Sequence, residues 1–162
     1  MVIRVARPDD WPAIWSFFEP IAAAADTYCY DPHIASADAM ATWFVEAPGL
    51  TVVAVDDHGA VIGSAKAYRN QAGPGSHVAS ASFMVDPGHA GEGVGRSLGE
   101  YIVEWARSEG YRAMQFNAVV ETNIRAVALW RSLGFEVLTT VPEAFDHPTV
   151  GLVGLHIMYR RL

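Results

Sequence analysis

The chain has 162 residues, of which 51% are hydrophobic and 18% are charged, and this composition predicts one folded domain over residues 1–162 rather than disorder. Acidic residues outnumber basic ones 18 to 11, for a formal net charge of -7, which disfavours binding to nucleic acid or to an anionic membrane. The single cysteine, Cys29, excludes an internal disulfide and a cysteine-based zinc cluster, and we expect no metal site. Residues 1–7 lack the apolar run of a signal peptide, and no apolar stretch approaches a membrane span, so we expect a cytoplasmic location.

Hydrophobic periodicity predicts the element order β-α-α-β-β-β-α-β-α-β-β. The predicted strands cover residues 2–6, 51–55, 60–68, 77–85, 111–120, 135–141 and 152–159. The predicted helices are one that begins after Asp9 or Asp10, one at 36–44 capped by Ser36, one at 93–108, and one at 122–133 capped by Thr122. This order predicts an α/β (mixed α+β) fold, in which helices cover the faces of a mixed sheet.

A glycine-rich segment lies between the fourth predicted strand and the helix that follows it. Gly91, Gly93 and Gly95 alternate with other residues there. Glycine permits positive φ and lets phosphate oxygens approach, while the free N–H groups at a helix start bind anions. The segment is neither a Walker loop, since Arg96 follows Gly95, nor a dinucleotide fingerprint, since Leu98 stands where a glycine is required. We expect a phosphate-binding turn, and the alternative is a glycine-rich turn without a ligand.

Two motifs in the second half of the chain point to a known family. The first is Val85-Asp86-Pro87 followed by Ala90-Gly91-Glu92-Gly93-Val94-Gly95, and the second contains Asn123, Ala126, Leu129, Trp130, Gly134 and Phe135. Together they resemble the GNAT superfamily of acyl-CoA-dependent N-acetyltransferases, whose motifs read V-x-P, then R/Q-x-x-G-x-G/A, and later N-x-x-A-x-x-L-Y-x-x-x-G-F. The resemblance implies the GNAT fold, in which a central mixed, mostly antiparallel sheet is splayed between strands 4 and 5 and flanked by about four helices.

The resemblance also implies that acetyl-CoA is the co-substrate and that this chain is an acetyltransferase. The implied cofactor-binding residues are Met84, Val85, Gly91, Glu92, Gly93, Val94, Gly95, Arg96, Ser97, Asn123 and Trp130. Asn123 has an alternative role as a helix-end residue that bonds its own backbone, and Trp130 has one in core packing.

Two positions depart from the family pattern. Ala90 replaces the usual Arg or Gln, although the phosphate contact is mostly made by the backbone. Trp130 replaces the tyrosine that often protonates the leaving thiolate, and an indole N–H does not readily give up a proton. Because a thiol has a pKa near 8.5, expelling thiolate at pH 7 costs only about 2 kcal/mol. We therefore expect catalysis to survive without that acid.

Direct transfer to an amine is the reaction that the resemblance implies, with the backbone of the fourth strand stabilising the developing oxyanion. No Glu or Asp lies in that strand, where the family often places a base. The polar candidates are therefore His77, Ser80, Ser82 and Asn117, and of these Asn117, Ser80 and His77 are the predicted catalytic residues. Deprotonating an α-amine at pH 7 costs about 1 kcal/mol, against about 4 to 5 for a lysine-like amine, so a site without a strong base favours an α-amine.

Tyr28, Tyr30 and Asn117 are the predicted acceptor-binding residues. Residues 116–120 and Trp130 resemble a GNAT branch that includes proline-analogue acetyltransferases, in which an Asn similar to Asn117 approaches the substrate. The predicted acceptor is a small-molecule amine, and an amino or imino acid is the narrower hypothesis. The alternatives are a protein or peptide N-acetyltransferase and a noncatalytic CoA-binding module. Residues 142–162 are expected to form a hairpin that covers the acceptor site or pairs with a second copy in a homodimer.

Overall fold

A computed structural model describes residues 1–162 and contains seven strands and four α-helices. The elements are β1 (Val2–Val5), α1 (Trp11–Ala24), α2 (Ser36–Trp43), β2 (Leu50–Val55), β3 (Val61–Arg69), β4 (Val78–Val85), α3 (Val94–Ser108), β5 (Ala113–Val120), α4 (Ile124–Ser132), β6 (Glu136–His147) and β7 (Gly151–Arg161). Their order is the one predicted from the sequence, and β6 and β7 are longer than predicted. None of the four helices combines the length and the hydrophobicity needed to span a bilayer.

The seven strands form one sheet in the order β1-β2-β3-β4-β5-β7-β6. Every neighbouring pair is antiparallel except β4 and β5, which run parallel. The β4–β5 pairing is short, because Val78 pairs with Ala113 and Ala79 with Met114 before the two strands diverge. The predicted mixed, mostly antiparallel sheet that is splayed between strands 4 and 5 is therefore confirmed.

Two hydrophobic clusters cover the two faces of the sheet. The larger cluster lies under α3 and α4 and contains Leu98, Ile102 and Phe135, while the smaller lies under α1 and α2. Successive residues of β4 serve both faces, because Met84 belongs to the smaller cluster and Phe83 packs against the larger. Packing on both faces fixes β4 in place and so fixes the edge that it presents to the gap beside β5.

The starts of two helices differ from the prediction. The N-cap of α2 is Ala35 rather than Ser36, whose hydroxyl accepts a hydrogen bond from Trp11 Nε1 at 2.9 Å. The N-cap of α4 is Asn123 rather than Thr122, and the Asn123 side chain accepts from the backbone N–H three residues further on. Both predicted caps are therefore wrong. In α2 the serine hydroxyl is used by an indole of α1, a long-range contact that local sequence does not reveal.

Candidate active site

A cleft of about 710 Å³ opens where β4 and β5 diverge. Its walls come from β4, from β5, from the connection between α1 and α2, and from the start of α4. The register of β5 on β7 shifts between Phe116 and Val119, so a bulge in β5 adjoins the cleft. Bulges bend a strand and add twist, which helps to carry β5 away from β4.

Alternate backbone groups of β4 face this cleft. The carbonyl of His77 accepts a hydrogen bond from the residue before β5, whereas the carbonyl of Val78 accepts one from the residue after β3. Odd-numbered residues of the strand therefore direct their N–H and C=O groups towards β5. Because the pairing with β5 ends at Ala79, the N–H groups of Ala81 and Phe83 face the cleft without a partner on β5.

The turn between β4 and α3 carries a group of free backbone donors. Gly91 and Gly93 have φ values of +89° and +85°, and a Cβ at either position would meet nothing within 4 Å. Five N–H groups in this turn and the first turn of α3 donate to no protein acceptor, namely those of Gly91, Gly93, Val94, Gly95 and Arg96. Donors at a helix N-terminus with open space before them fit a phosphate or diphosphate group.

The side chains of this turn are mostly engaged within the protein. The Nδ1 of His89 lies 2.9 Å from Glu92 Oε2, and this contact raises the pKa of His89. Arg96 Nη2 donates to Ser132 Oγ at 2.8 Å, which ties α3 to α4. The backbone N–H of Ser97 is already used, because it donates to the carbonyl of residue 93. The turn can therefore offer anions its backbone more readily than its side chains.

The N-cap of α4 and several residues of that helix line the cleft, among them Asn123 and Trp130. Asn123 lines it while its Oδ1 caps the helix, so the alternative role in helix capping is observed. Trp130 is 7% exposed and its ring centroid lies 4.6 Å from that of Phe83 and 5.0 Å from that of Phe116, so core packing is also observed. Its indole N–H has no protein acceptor. Met84 and Val85 line the same part of the cleft.

Two stacked tyrosines also line the cleft. The rings of Tyr28 and Tyr30 lie 5.8 Å apart with an interplanar angle of 26°. The Tyr28 hydroxyl donates to the carbonyl of Phe83 and so joins the α1–α2 connection to β4. Burial raises the pKa of Tyr28 and raises that of Tyr30 to about 12. Both phenols therefore stay neutral at physiological pH and are poor bases.

Two of the three predicted catalytic residues line the cleft and one does not. Ser80 is 2% exposed and lines the cleft. Asn117 also lines it, and its Nδ2 donates to Asn70 Oδ1 at 2.6 Å. His77 does not line the cleft, and its exposed ring lies with Nδ1 3.1 Å from the carbonyl of Pro74. Geometry therefore brings Ser80 and Asn117 to the site and gives no support to a catalytic role for His77.

A buried lysine, absent from the predicted site residues, also lines the cleft. Lys66, on β3, is buried and lines the cleft, as do Tyr30 and Tyr68. It is the only lysine of the chain and stands between two alanines in a β-rich segment, a signal that could have singled it out.

The predicted hairpin of β6 and β7 does form, but none of its residues lines the cleft. No group of three or more His, Cys, Asp or Glu is arranged to hold a metal ion.

The family to which this chain belongs follows from its similarity to known proteins. The model of the acetyltransferase (GNAT) family matches residues 11–135. This chain belongs to the acetyltransferase (GNAT) family. The solved structure of a GCN5-related N-acetyltransferase from Kribbella flavida is 55% identical in sequence, covers 99% of this chain and 97% of its own, and superposes with a TM-score of 0.97. The family and fold predicted from the two motifs are therefore confirmed, and GNAT enzymes are acetyl-CoA-dependent acyltransferases.

Among more distant relatives and solved structures, two carry names that describe a substrate. The L-amino acid N-acyltransferase MnaT of Escherichia coli is 29% identical over 146 residues, which are 88% of this chain and 84% of that protein. N-acetyltransferase aca1 of Schizosaccharomyces pombe is 33% identical over 98 residues, which are 60% of this chain but only 47% of that protein. A phosphinothricin acetyltransferase from Sinorhizobium meliloti, solved in complex with AcCoA, is 22% identical, covers 99% of this chain and 88% of its own, and has a TM-score of 0.90, which shows a shared fold.

Proposed function

We propose that this chain transfers the acetyl group of acetyl-CoA directly to the amine of a small molecule, with a free amino or imino acid as acceptor. One observation carries the proposal: β4 and β5 diverge into a cleft that contains a polar, aromatic recess and that reaches Pro87, at the start of the turn whose N–H groups are free. The similarity to a protein named for L-amino acid N-acylation supports this choice of acceptor.

The turn between β4 and α3 would hold the diphosphate of acetyl-CoA. Its five free N–H groups and the positive end of the α3 dipole favour a bound anion. The N–H groups of Ala81 and Phe83 are the donors that would bind the pantetheine arm or the thioester oxygen. Asn123 retains a free Nδ2 for the same co-substrate, and Trp130 offers the arm an apolar wall. When bound, acetyl-CoA supplies the activated acyl group.

The acceptor must arrive as a neutral amine, because β4 carries no carboxylate to act as a strong base. The α-amine of an amino acid is less basic than a lysine side chain, so it gives up its proton at pH 7 at a lower free-energy cost. Water can accept that proton without an enzyme base. Ser80 and Asn117 are then the groups that orient the amine as its nitrogen bonds to the acyl carbon and the carbon–sulfur bond breaks. The neutral phenols of Tyr28 and Tyr30 contribute surface and hydrogen bonds rather than proton acceptance.

The dimensions of the cleft favour a small acceptor over a peptide. A volume of about 710 Å³ lies within the roughly 300–1,000 Å³ of small-molecule sites. The pantetheine arm must occupy part of it. Tyr28 spans from the α1–α2 connection to the carbonyl of Phe83 and so closes the recess on that side. A free amino acid fits the space that remains better than an extended chain does.

The test is thiol release from acetyl-CoA with twenty free amino acids and with tripeptides that begin with the same residues. We expect free amino acids to be the better acceptors. Faster turnover of the peptides would instead establish a peptide N-acetyltransferase, and acetyl-CoA binding without thiol release from any amine would establish a noncatalytic module.

A variant pair tests the role of Asn117 within this reaction. Asn117→Ala should lower kcat/KM at least about tenfold, which corresponds to about 1.4 kcal/mol. The matched control is Asn70→Ala, which removes one of the two hydrogen-bond partners of the Asn117 side chain but no part of the cleft wall. Wild-type activity in Asn117→Ala would show that this residue does not orient the acceptor.

A further inference from the structure

Lys66 is an unusual residue in this chain. It is the only lysine, it lies in the middle of β3, and 9% of its surface is exposed. Its neighbours Ala65 and Ala67 are fully buried in the larger cluster. A lysine at such a position is expensive to bury, because the charged form loses hydration. A buried lysine that also lines a cleft calls for a functional reason.

The ammonium group of Lys66 has few partners in the protein. Its Nζ donates one hydrogen bond, to the carbonyl of Thr42 at 2.8 Å. Three aromatic rings surround it, those of Tyr30, Trp43 and Tyr68, with centroids 5.4 to 5.9 Å away. These rings stabilise a cation without neutralising it. An ammonium group has three donors, so two of them have no acceptor in the protein.

No counter-ion balances this charge. Asp26 is the only carboxylate among the residues that line the cleft, and no carboxylate lies within 4 Å of Lys66 Nζ. Burial lowers the pKa of Lys66 to about 8. Lys66 therefore remains mostly charged at neutral pH, with open donors and no anion beside it.

The sheet register places Lys66 on the same face of the sheet as two cleft residues of β4. Lys66 stands directly opposite Ser82 on β4, and Tyr68 stands opposite Ser80. Opposite residues of an antiparallel pair project from the same face. Ser80, Ser82 and Lys66 therefore share the face that α1 and α2 cover, and all three line the cleft.

We propose that Lys66 binds the carboxylate of an amino or imino acid acceptor in the recess formed with Tyr30 and Tyr68. The proposal rests on the proposed function and narrows it to acceptors that carry an anion next to the amine. In such molecules the amine and the carboxylate share one carbon, so fixing the carboxylate at Lys66 limits where the amine can lie. Lys66 also acquires the counter-ion that the protein does not provide.

The first experiment compares an acceptor that carries the carboxylate with one that lacks it, each across the same set of Lys66 variants. The best acceptor among twenty amino acids is measured beside its own carboxamide, in wild type, Lys66→Met and Lys66→Arg. Lys66→Met should raise KM for the acid about ten- to a hundredfold, as expected for losing a hydrogen bond to a charged group, and should leave the carboxamide nearly unchanged. Lys66→Arg, which keeps the cation, should recover part of the loss for the acid. A thermal melt checks folding, and Lys66→Met should be no less stable than wild type.

Several outcomes would overturn the proposal. An equal loss for acid and carboxamide would show that Lys66 serves every acceptor alike, as a base or a structural residue would. Turnover of carboxylate-free amines but of no amino acid would refute the anchor while the transferase activity stands. If no amine is acetylated at all, the proposed function fails, and the anchor fails with it.

The second experiment uses the fact that the chain has one lysine. Labelling lysine with ¹³C at Cε gives a single NMR signal, whose shift against pH reports the pKa of Lys66 directly. The best amino acid acceptor, added with CoA so that no turnover occurs, should raise that pKa, because an adjacent anion favours the charged form. Its carboxamide should not. An identical titration curve with either ligand would contradict carboxylate binding at Lys66.

Discussion

Replacing Gly93 by alanine tests the phosphate-binding turn at its most sensitive backbone position. Gly93 is the N-cap of α3, with φ +85° and ψ 0°, and a Cβ there would meet nothing within 4 Å. The cost of Gly93→Ala is therefore backbone strain alone, about 1–2 kcal/mol for an L-residue in the left-handed region. In a chain of this length that corresponds to a fall in Tm of about 2–8 °C.

The same strain should weaken the binding of acetyl-CoA. The turn relieves this strain by rotating the peptide unit, which changes the directions in which its N–H groups point. Losing one hydrogen bond to a charged phosphate costs about 1.5–3 kcal/mol, so Kd should rise about ten- to 150-fold. Isothermal titration calorimetry with acetyl-CoA measures this change.

Gly110→Ala is the matched control. Gly110 follows the other end of α3, has φ +81° and also has open space around a Cβ. Its replacement should lower Tm by a similar amount and leave Kd unchanged within about twofold. Wild-type affinity in Gly93→Ala, or an equal loss of affinity in both variants, would refute the assignment of this turn to the diphosphate.

Three further predictions concern residues whose contacts are equally specific. Asn123→Ala should lose about 1 kcal/mol of stability because the helix cap is removed, whereas Asn123→Ser keeps a cap and should raise only the Kd for acetyl-CoA. Trp130→Ala should lose about 3–5 kcal/mol in urea unfolding, because its ring packs against Phe83 in the larger cluster. Asp10→Asn should cost about 1 kcal/mol at pH 7, since the pair with the partly exposed Arg4 is screened. The hydrogen bond from Arg4 lowers the pKa of Asp10, so this difference should persist down to about pH 4 and vanish as the pH falls through the folded-state pKa.

Each of these predictions has a distinct contrary result. Equal Kd values for Asn123→Ser and wild type would leave Asn123 with a capping role alone. An unchanged urea midpoint in Trp130→Ala would contradict its place in the core. A stability gap between wild type and Asp10→Asn that stays constant from pH 7 to pH 2 would show that Arg4 does not set the pKa of Asp10.

The parts of the site that sequence could predict are those encoded locally. The spacing of Gly91, Gly93 and Gly95 after a strand indicates a turn with positive φ before a helix, and two of these glycines do have positive φ. Asn123 and Trp130 belong to one short helix and its N-cap, so their spacing is fixed locally. The motif that contains them therefore predicts that both line the same cleft. The period of the hydrophobic residues likewise predicts the element order, because each strand or helix buries one apolar face whose spacing is visible in its own sequence.

The parts that escaped prediction depend on contacts distant in sequence. The role of Lys66 follows from the register of β3 on β4 and from three rings contributed by separate elements. His77 looked eligible as a polar residue next to β4, but the turn before the strand directs its ring to the Pro74 carbonyl. Ser36 looked like a cap, but an indole of α1 takes its hydroxyl. Such competition between partners is decided only by the tertiary fold.

Calorimetric titration with pantetheine, 4′-phosphopantetheine and CoA tests the role of the turn at residues 91–96 most directly, because the first phosphate is the only difference between the first two ligands. We expect 4′-phosphopantetheine to bind at least about tenfold more tightly than pantetheine, by the 1.4 kcal/mol or more that a charged hydrogen bond contributes, and CoA to bind more tightly still. Equal affinities for the three ligands would show that the free N–H groups of this turn do not bind the diphosphate.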